Sequence, residues 1–269
     1  MNTSNPQPSG GQIKPPTLRI VAGTLVLAVG TLWLAGCAST PKPGDAQGAK
    51  MEPAALALLD SVSAKLGAAQ TIQVEAVHQL DPALGLGLAI DKGRIELSVK
   101  RPNQFYAIQP AGRETREIAF DGRFLCVMHP GPKHHALEPL EASTIEQFAQ
   151  RVDERFGFRP PVAELLANDM AKELLFEVTS AKLLGREWVG WTRCDHLRLD
   201  QEGMITELWV ATDDRLPRRM RTTVTDIQGH PTWDIRFSDW KLNQPLDESL
   251  FTKRPAADSQ KVPMIRSNN

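Results

Sequence analysis

The chain has 269 residues, 41% apolar and 23% charged, and its 31 basic and 32 acidic side chains leave a net charge of −1. The densest basic stretch, "RLPRRMR" at 215–221, reads as a strand with an exposed cationic face, so the broad basic patch that nucleic-acid binding requires is missing. Residues 51 to about 260 suffice for one domain with a sizeable core.

Residues 1–19 are polar, rich in Pro and Gly, and carry Lys14 and Arg19 but no acid. Residues 20–36, "IVAGTLVLAVGTLWLAG", are apolar apart from two threonines. A positive region followed by an apolar one is the plan of a secretory signal. The run has 17 residues, short of the about 20 that a spanning helix needs, although length alone leaves a short anchor open. It ends in "LWLAGC", and Leu34-Ala35-Gly36-Cys37 resembles the lipobox of bacterial lipoproteins. In that motif lipid is attached to the thiol and a peptidase cuts just before the cysteine, so bulky side chains there would block it. The resemblance implies a signal over 1–36, lipidation of Cys37 and a membrane tether over 37–50. "ASTPKPGDAQGAK" (38–50) has the small, polar composition of a flexible tether and spans roughly 20 Å r.m.s.. Two or three acyl chains, at about 0.8 kcal/mol per buried methylene, make such an anchor permanent. Ala38, where an Asp would signal inner-membrane retention, favours the periplasmic face of the outer membrane. Loss of Lys14 and Arg19 with the signal leaves 29 basic and 32 acidic residues, a net charge of −3.

Beyond the tether, apolar residues at 55, 58, 59, 62 and 66 predict a helix over 52–70. The period then drops to two. "TIQVEAVHQL" places Ile72, Val74 and Ala76 on one side, and "GRIELSVKRP" places Ile95, Leu97 and Val99 opposite Arg94, Glu96, Ser98 and Lys100. "NQFYAIQP" and "ETREIAF" continue as strands. "AFDGRFLCVMHP" is a hairpin turning at Asp121-Gly122, and "KHHALEP" adds a short strand. Residues 141–157, apolar at 145, 148, 152 and 156, form a helix. Residues 160–176 open on two prolines and supply one or two short helices. Five strands follow, separated by turns rich in Gly, Asp, Asn and Pro. The tail is expected to be loose over 263–269. The fold class is therefore α+β, mainly antiparallel β: a large curved sheet with helices over one side.

"RPNQFYAI", "FDG", "PVAELL", "CDHLRL", "LWVATDDRLPRRM", "SDWKLN" and "FTKRP" occur in this order. Together they resemble a family of uncharacterised predicted periplasmic proteins, grouped with the LolA/LolB-like lipoprotein-carrier superfamily. The resemblance covers roughly residues 52–262; "FTKRPAAD" departs from it in having one proline where a pair is expected. It implies an incomplete barrel of about eleven antiparallel strands under a helical lid. It also implies an apolar cavity between them for a lipid, an acyl chain or an acylated protein. Ile95, Leu97, Val99, Phe105, Trp233, Ile235 and Phe237 are the candidate lining residues, and the same residues would equally serve as an ordinary core. A branch of the superfamily grips a partner protein instead, so an envelope protein is the alternative partner. No cofactor and no catalytic chemistry are implied.

Other constellations point to structure. Cys194 and His196 share a strand face, but no oriented base stands near the thiol to make it a nucleophile. His129, His134 and His135 lie around a hairpin loop and lack a second pair at zinc spacing. Asp213 and Asp214 read as a turn. Trp188, Trp191, Trp209, Trp233 and Trp240 are expected mostly as core and rim aromatics. Gly85 and Gly87 lack the Lys-Ser/Thr of a phosphate loop and read as a weakly paired segment. Once Cys37 carries lipid, Cys126 and Cys194 remain, and their pairing stays open.

Overall fold

The computed structural model describes residues 50–84 and 92–264, so Cys37, Gly85 and Gly87 lie outside the described residues. Helix α1 (Pro53–Gly67) starts on a proline and buries Ala55, Leu58, Leu59, Val62 and Leu66 along one face. Six strands follow as an antiparallel meander: β1 (Thr71–Leu80), β2 (Lys92–Lys100), β3 (Gln104–Gln109), β4 (Arg116–Phe120), β5 (Phe124–His129) and β6 (His134–Pro139). The β4–β5 turn is the expected one. Asp121 Oδ1 accepts the Arg123 and Phe124 amides at 2.9 and 2.8 Å, and Gly122 takes φ 95°.

Helix α2 (Ile145–Phe156) is capped at both ends. Thr144 Oγ1 accepts the Gln147 amide at 3.2 Å, and Gln147 Oε1 reaches back to the Ser143 amide at 2.6 Å. Gly157, at φ 74°, ends it. The helical stretch after it divides into α3 (Ala163–Leu166) and α4 (Met170–Leu174). A second antiparallel meander comprises β7 (Val178–Val189), β8 (Thr192–Gln201), β9 (Met204–Ala211), β10 (Pro217–Val224) and β11 (Thr232–Leu242). A twelfth strand, the two-residue β12 (Gln260–Lys261), lies parallel to β6 and brings the count one above the expected eleven.

The second meander folds back onto the first. β11 pairs antiparallel with β1, placing Leu80 opposite Trp233 and Ala76 opposite Phe237. All twelve strands thereby join one unclosed sheet, in the order β12-β6-β5-β4-β3-β2-β1-β11-β10-β9-β8-β7. The helices cover one face and share a single apolar layer with it. On the opposite face the C-terminal segment crosses β3 to β5. There Phe251 is buried with Tyr106, Ala119, Cys126 and Met128, and Lys253 binds the Glu117 carboxylate beside Tyr106.

Arg101, at the β2–β3 turn, ties cover to sheet. Its guanidinium donates to the carbonyls of Ala69, Leu66 and Ala167, each at 3.1 Å, and to the Asn168 side chain. It thus holds the end of α1 and the α3–α4 link in one grip. An Arg101→Met chain keeps the aliphatic stem and leaves those carbonyls without their donor. It should lose about 2–4 kcal/mol, measured as a lower urea midpoint at unchanged m.

Candidate functional site

The seven expected lining residues all lie on the helix-facing side of the sheet. Ile95, Leu97 and Val99 alternate along β2, Phe105 stands on β3, and Trp233, Ile235 and Phe237 alternate along β11. β1 brings the two groups together, since Ala76 pairs with Ile95 on one side and Phe237 on the other. The space above them is filled by side chains from the cover. Leu59, Val62 and Leu66 of α1, Phe148 and Val152 of α2, and Leu165 and Leu166 of α3 join the same buried cluster. The Phe148 ring stacks on Phe120 at 4.2 Å and lies 5.4 Å from Phe105. Among the described residues this layer is packed core.

At one end the layer turns polar. β1 continues its inward phase past Ala76 to His78, which is buried, and β3 continues past Ala107 to Gln109. Gln109 Nε2 and His78 Nε2 are 3.1 Å apart. Gly93, opposite His78 on β2, puts no side chain there. Trp233, opposite Leu80, has a buried indole N–H that finds no acceptor among the described residues. A cavity of about 500 Å³ opens beside this rim, touching His78, Leu80, Pro82 and Thr232. A second, of about 400 Å³, is a surface dip between β6 and α2, lined by Leu140, Arg151 and Arg155. Sequence reasoning missed His78 and Gln109. The signal was present: each holds the inward phase of a strand whose other inward residues are apolar.

A family model described as "Predicted periplasmic protein (DUF2092)" matches residues 55–265. The chain belongs to this family. No curated protein matches it. Among solved structures, an uncharacterised conserved protein from Thermus thermophilus is 14% identical at a TM-score of 0.47, over 78% of this chain and 98% of that one. The lipoprotein LppX of Mycobacterium tuberculosis is 14% identical at 0.45, over 73% and 98%. A LolA superfamily protein from Nitrosomonas europaea is 16% identical at 0.35, over 74% and 97%.

The face turned away from the helices holds the other constellations of this DUF2092 chain. Cys194 and His196 do share it. His196 sits between Glu187 (3.2 Å) and Glu207 (3.1 Å) and stacks on Trp209 at 4.1 Å, while Trp209 Nε1 donates to Glu187 at 2.9 Å. Cys194 is buried, and burial pushes its thiol up to about 11; Cys126 is also buried, and both are free. His135 shares a hydrogen bond with Ser259 Oγ at 2.9 Å, and Asp213 and Asp214 form the expected turn. Two expectations need correction. The Arg218–Arg221 face is not a free cationic surface, because Arg218 pairs with Asp214 and both Arg219 and Arg221 pair with Asp234. Trp188 and Trp191 are not core or rim; at the β7–β8 hairpin they are 69% and 99% exposed, because no described element packs over that edge of the sheet.

The cover itself carries strain. Val162, buried ahead of α3, takes φ 54°, a region hostile to a β-branched residue that costs about 1–3 kcal/mol. Glu146 of α2 has a buried Oε2 without a partner among the described residues, and it faces Glu173 of α4. Burial first, and then the Glu146 charge, raises the Glu173 carboxyl. The folded chain therefore holds that proton more tightly than the unfolded chain. Stability falls as pH climbs from the ordinary carboxylate range through the raised folded value. Glu173→Gln should be the more stable protein at neutral pH, by a few tenths of a kcal/mol because the group is half-exposed. The gain should vanish at about pH 4, as followed by thermal unfolding across pH.

Proposed function

We propose that the protein is a non-catalytic binding domain of the periplasm. Lipid on Cys37 holds it to the inner leaflet of the outer membrane, and it takes a hydrophobic ligand, a lipid or the acyl chain of an acylated protein, between sheet and helical cover. The observation that carries this reading is the Trp233 indole: a buried donor without an acceptor among the described residues, at the polar end of an apolar layer. Such a group costs about 1–3 kcal/mol, which a ligand ester or carboxylate would relieve. His78 and Gln109 beside it are the few convergent polar groups that orient a ligand in an otherwise apolar site. The ligand enters by displacing the short helices α3 and α4, which Val162 already strains. Absence of catalysis is supported by the raised Cys194 thiol and by His196, held between two carboxylates and away from any nucleophile.

The free edge of the sheet favours a second reading. Past Leu183, β7 has no partner on its outer side among the described residues, and Leu184, Trp188 and Trp191 stand exposed there. An extended segment of an envelope protein could add to that edge as a strand.

A protein starting at residue 50 keeps every described element. Gently purified and weighed by native mass spectrometry, it should carry acyl species. Trp233→Phe should keep the fold and weaken binding of an added long-chain fatty acid about tenfold. A ligand-free mass together with no uptake of added fatty acid overturns carriage. Separately, full-length Cys37→Ser should lose the acyl mass and leave the membrane pellet on cell fractionation; a Cys37→Ser protein that still sediments with membranes overturns the anchor.

A further inference from the structure

The cavity of about 500 Å³ has a second wall that the ligand reading leaves unused. On the face away from the helices the strand registers align two adjacent rows. Lys92, Gln79, Asp234 and Arg221 form one; Arg94, Val77, Arg236 and Arg219 form the other. The cavity takes four cations from these rows, Lys92, Arg219, Arg221 and Arg236, against two acids, Asp81 and Asp234. A local excess of two positive charges therefore sits in a chain whose net charge is −1.

The cations are not equivalent. Asp234 accepts Arg219 Nε at 3.0 Å and Arg221 Nε at 2.9 Å. Arg219 also lies over Trp209, 4.5 Å from its ring centre. These two guanidiniums are held in place and share one carboxylate. Burial alone would raise that carboxyl, but the hydrogen bonds from both arginines outweigh it and hold it below the usual range. The Lys92 and Arg236 side chains are exposed and make no ion pair or hydrogen bond among the described residues. A fixed pair of guanidiniums beside two unspent cations in a half-enclosed hollow is the arrangement that grips an oxyanion.

We infer that this hollow binds a phosphate-type anion, with Arg236 and Lys92 as its free donors and the Asp234-braced Arg221 as its positioned one. Because the same cavity also touches His78 and Leu80, the anion could be free or the headgroup of a lipid whose chain enters the layer. Charge and strand register define this site, independently of carriage.

Calorimetric titration of the protein starting at residue 50 tests it, with inorganic phosphate, glycerol 3-phosphate and a short-chain phosphatidylglycerol as probes. All three should bind at low salt and weaken about tenfold in the Lys92→Gln/Arg236→Gln double variant and as salt is raised. Arg94→Gln should bind as the parent does, because Arg94 already pairs with Glu75 and Glu96 and does not line the cavity. Circular dichroism confirms that each variant is folded. Phosphatidylglycerol binding more tightly than glycerol 3-phosphate, and competing with it, assigns the anion to a lipid. Equal affinities assign it to a free phosphate and leave the anion site intact. No binding of any probe, or binding indifferent to Lys92 and Arg236, overturns the site; fatty-acid uptake by such a protein would leave carriage standing without it.

Discussion

Everything in this fold hangs on the ten residues of β1. Two meanders, one on each side of the helical insert, share that strand: β2 pairs along one edge and β11 along the other. Without the second pairing there would be two separate sheets, each with a bare apolar face and too few helices to cover it. With it, one layer of side chains serves both halves, and α1 to α4 need cover only that layer. The inward residues of β1 also trace the change in character along the layer. Ile72, Val74 and Ala76 are apolar, and His78 begins the polar end. Position along one strand therefore sets where the layer is apolar and where it turns polar.

Much of this architecture is legible from local pattern. The switch of period at residue 71, the Asp121-Gly122 turn and the return to alternation after the helices each rest on neighbours within a few residues. That is the range over which a sequence period carries information. The β1–β11 pairing joins residues far apart in the chain, Leu80 to Trp233 and Ile72 to Leu242, and the alternation of either strand is the same whichever partner it has. The path of the C-terminal segment over β3 to β5 was hidden for a related reason. Phe251 is one aromatic in a polar stretch, with no period to mark what it packs against.

The candidate site divides along the same line. That Ile95, Leu97, Val99, Ile235 and Phe237 face inward follows from period two, and the structure agrees. Whether the layer they form is hollow or full depends on how far Phe148 and the α1 leucines reach into it. That is a matter of volumes and rotamers, to which patterning is blind. His78 and Gln109 could have been found by following the inward phase to the ends of β1 and β3. The cationic rows could not, since they need the register of four strands at once. Trp188 and Trp191 show the opposite limit: aromatic character alone says nothing about whether an element exists to cover it.

The route by which the chain enters the fold has a mechanical meaning. Lys50 and Glu52 are stitched to β7 by three hydrogen bonds: Ala181 N–H to the Lys50 carbonyl, Glu52 N–H to the Ala181 carbonyl, and Leu183 N–H to the Glu52 side chain. β7 is an end of the sheet, the full width of the second meander away from β1. Tension arriving through the leading segment therefore falls first on this small seam at the margin. Only after that seam gives way does the load pass through α1 to the central strand.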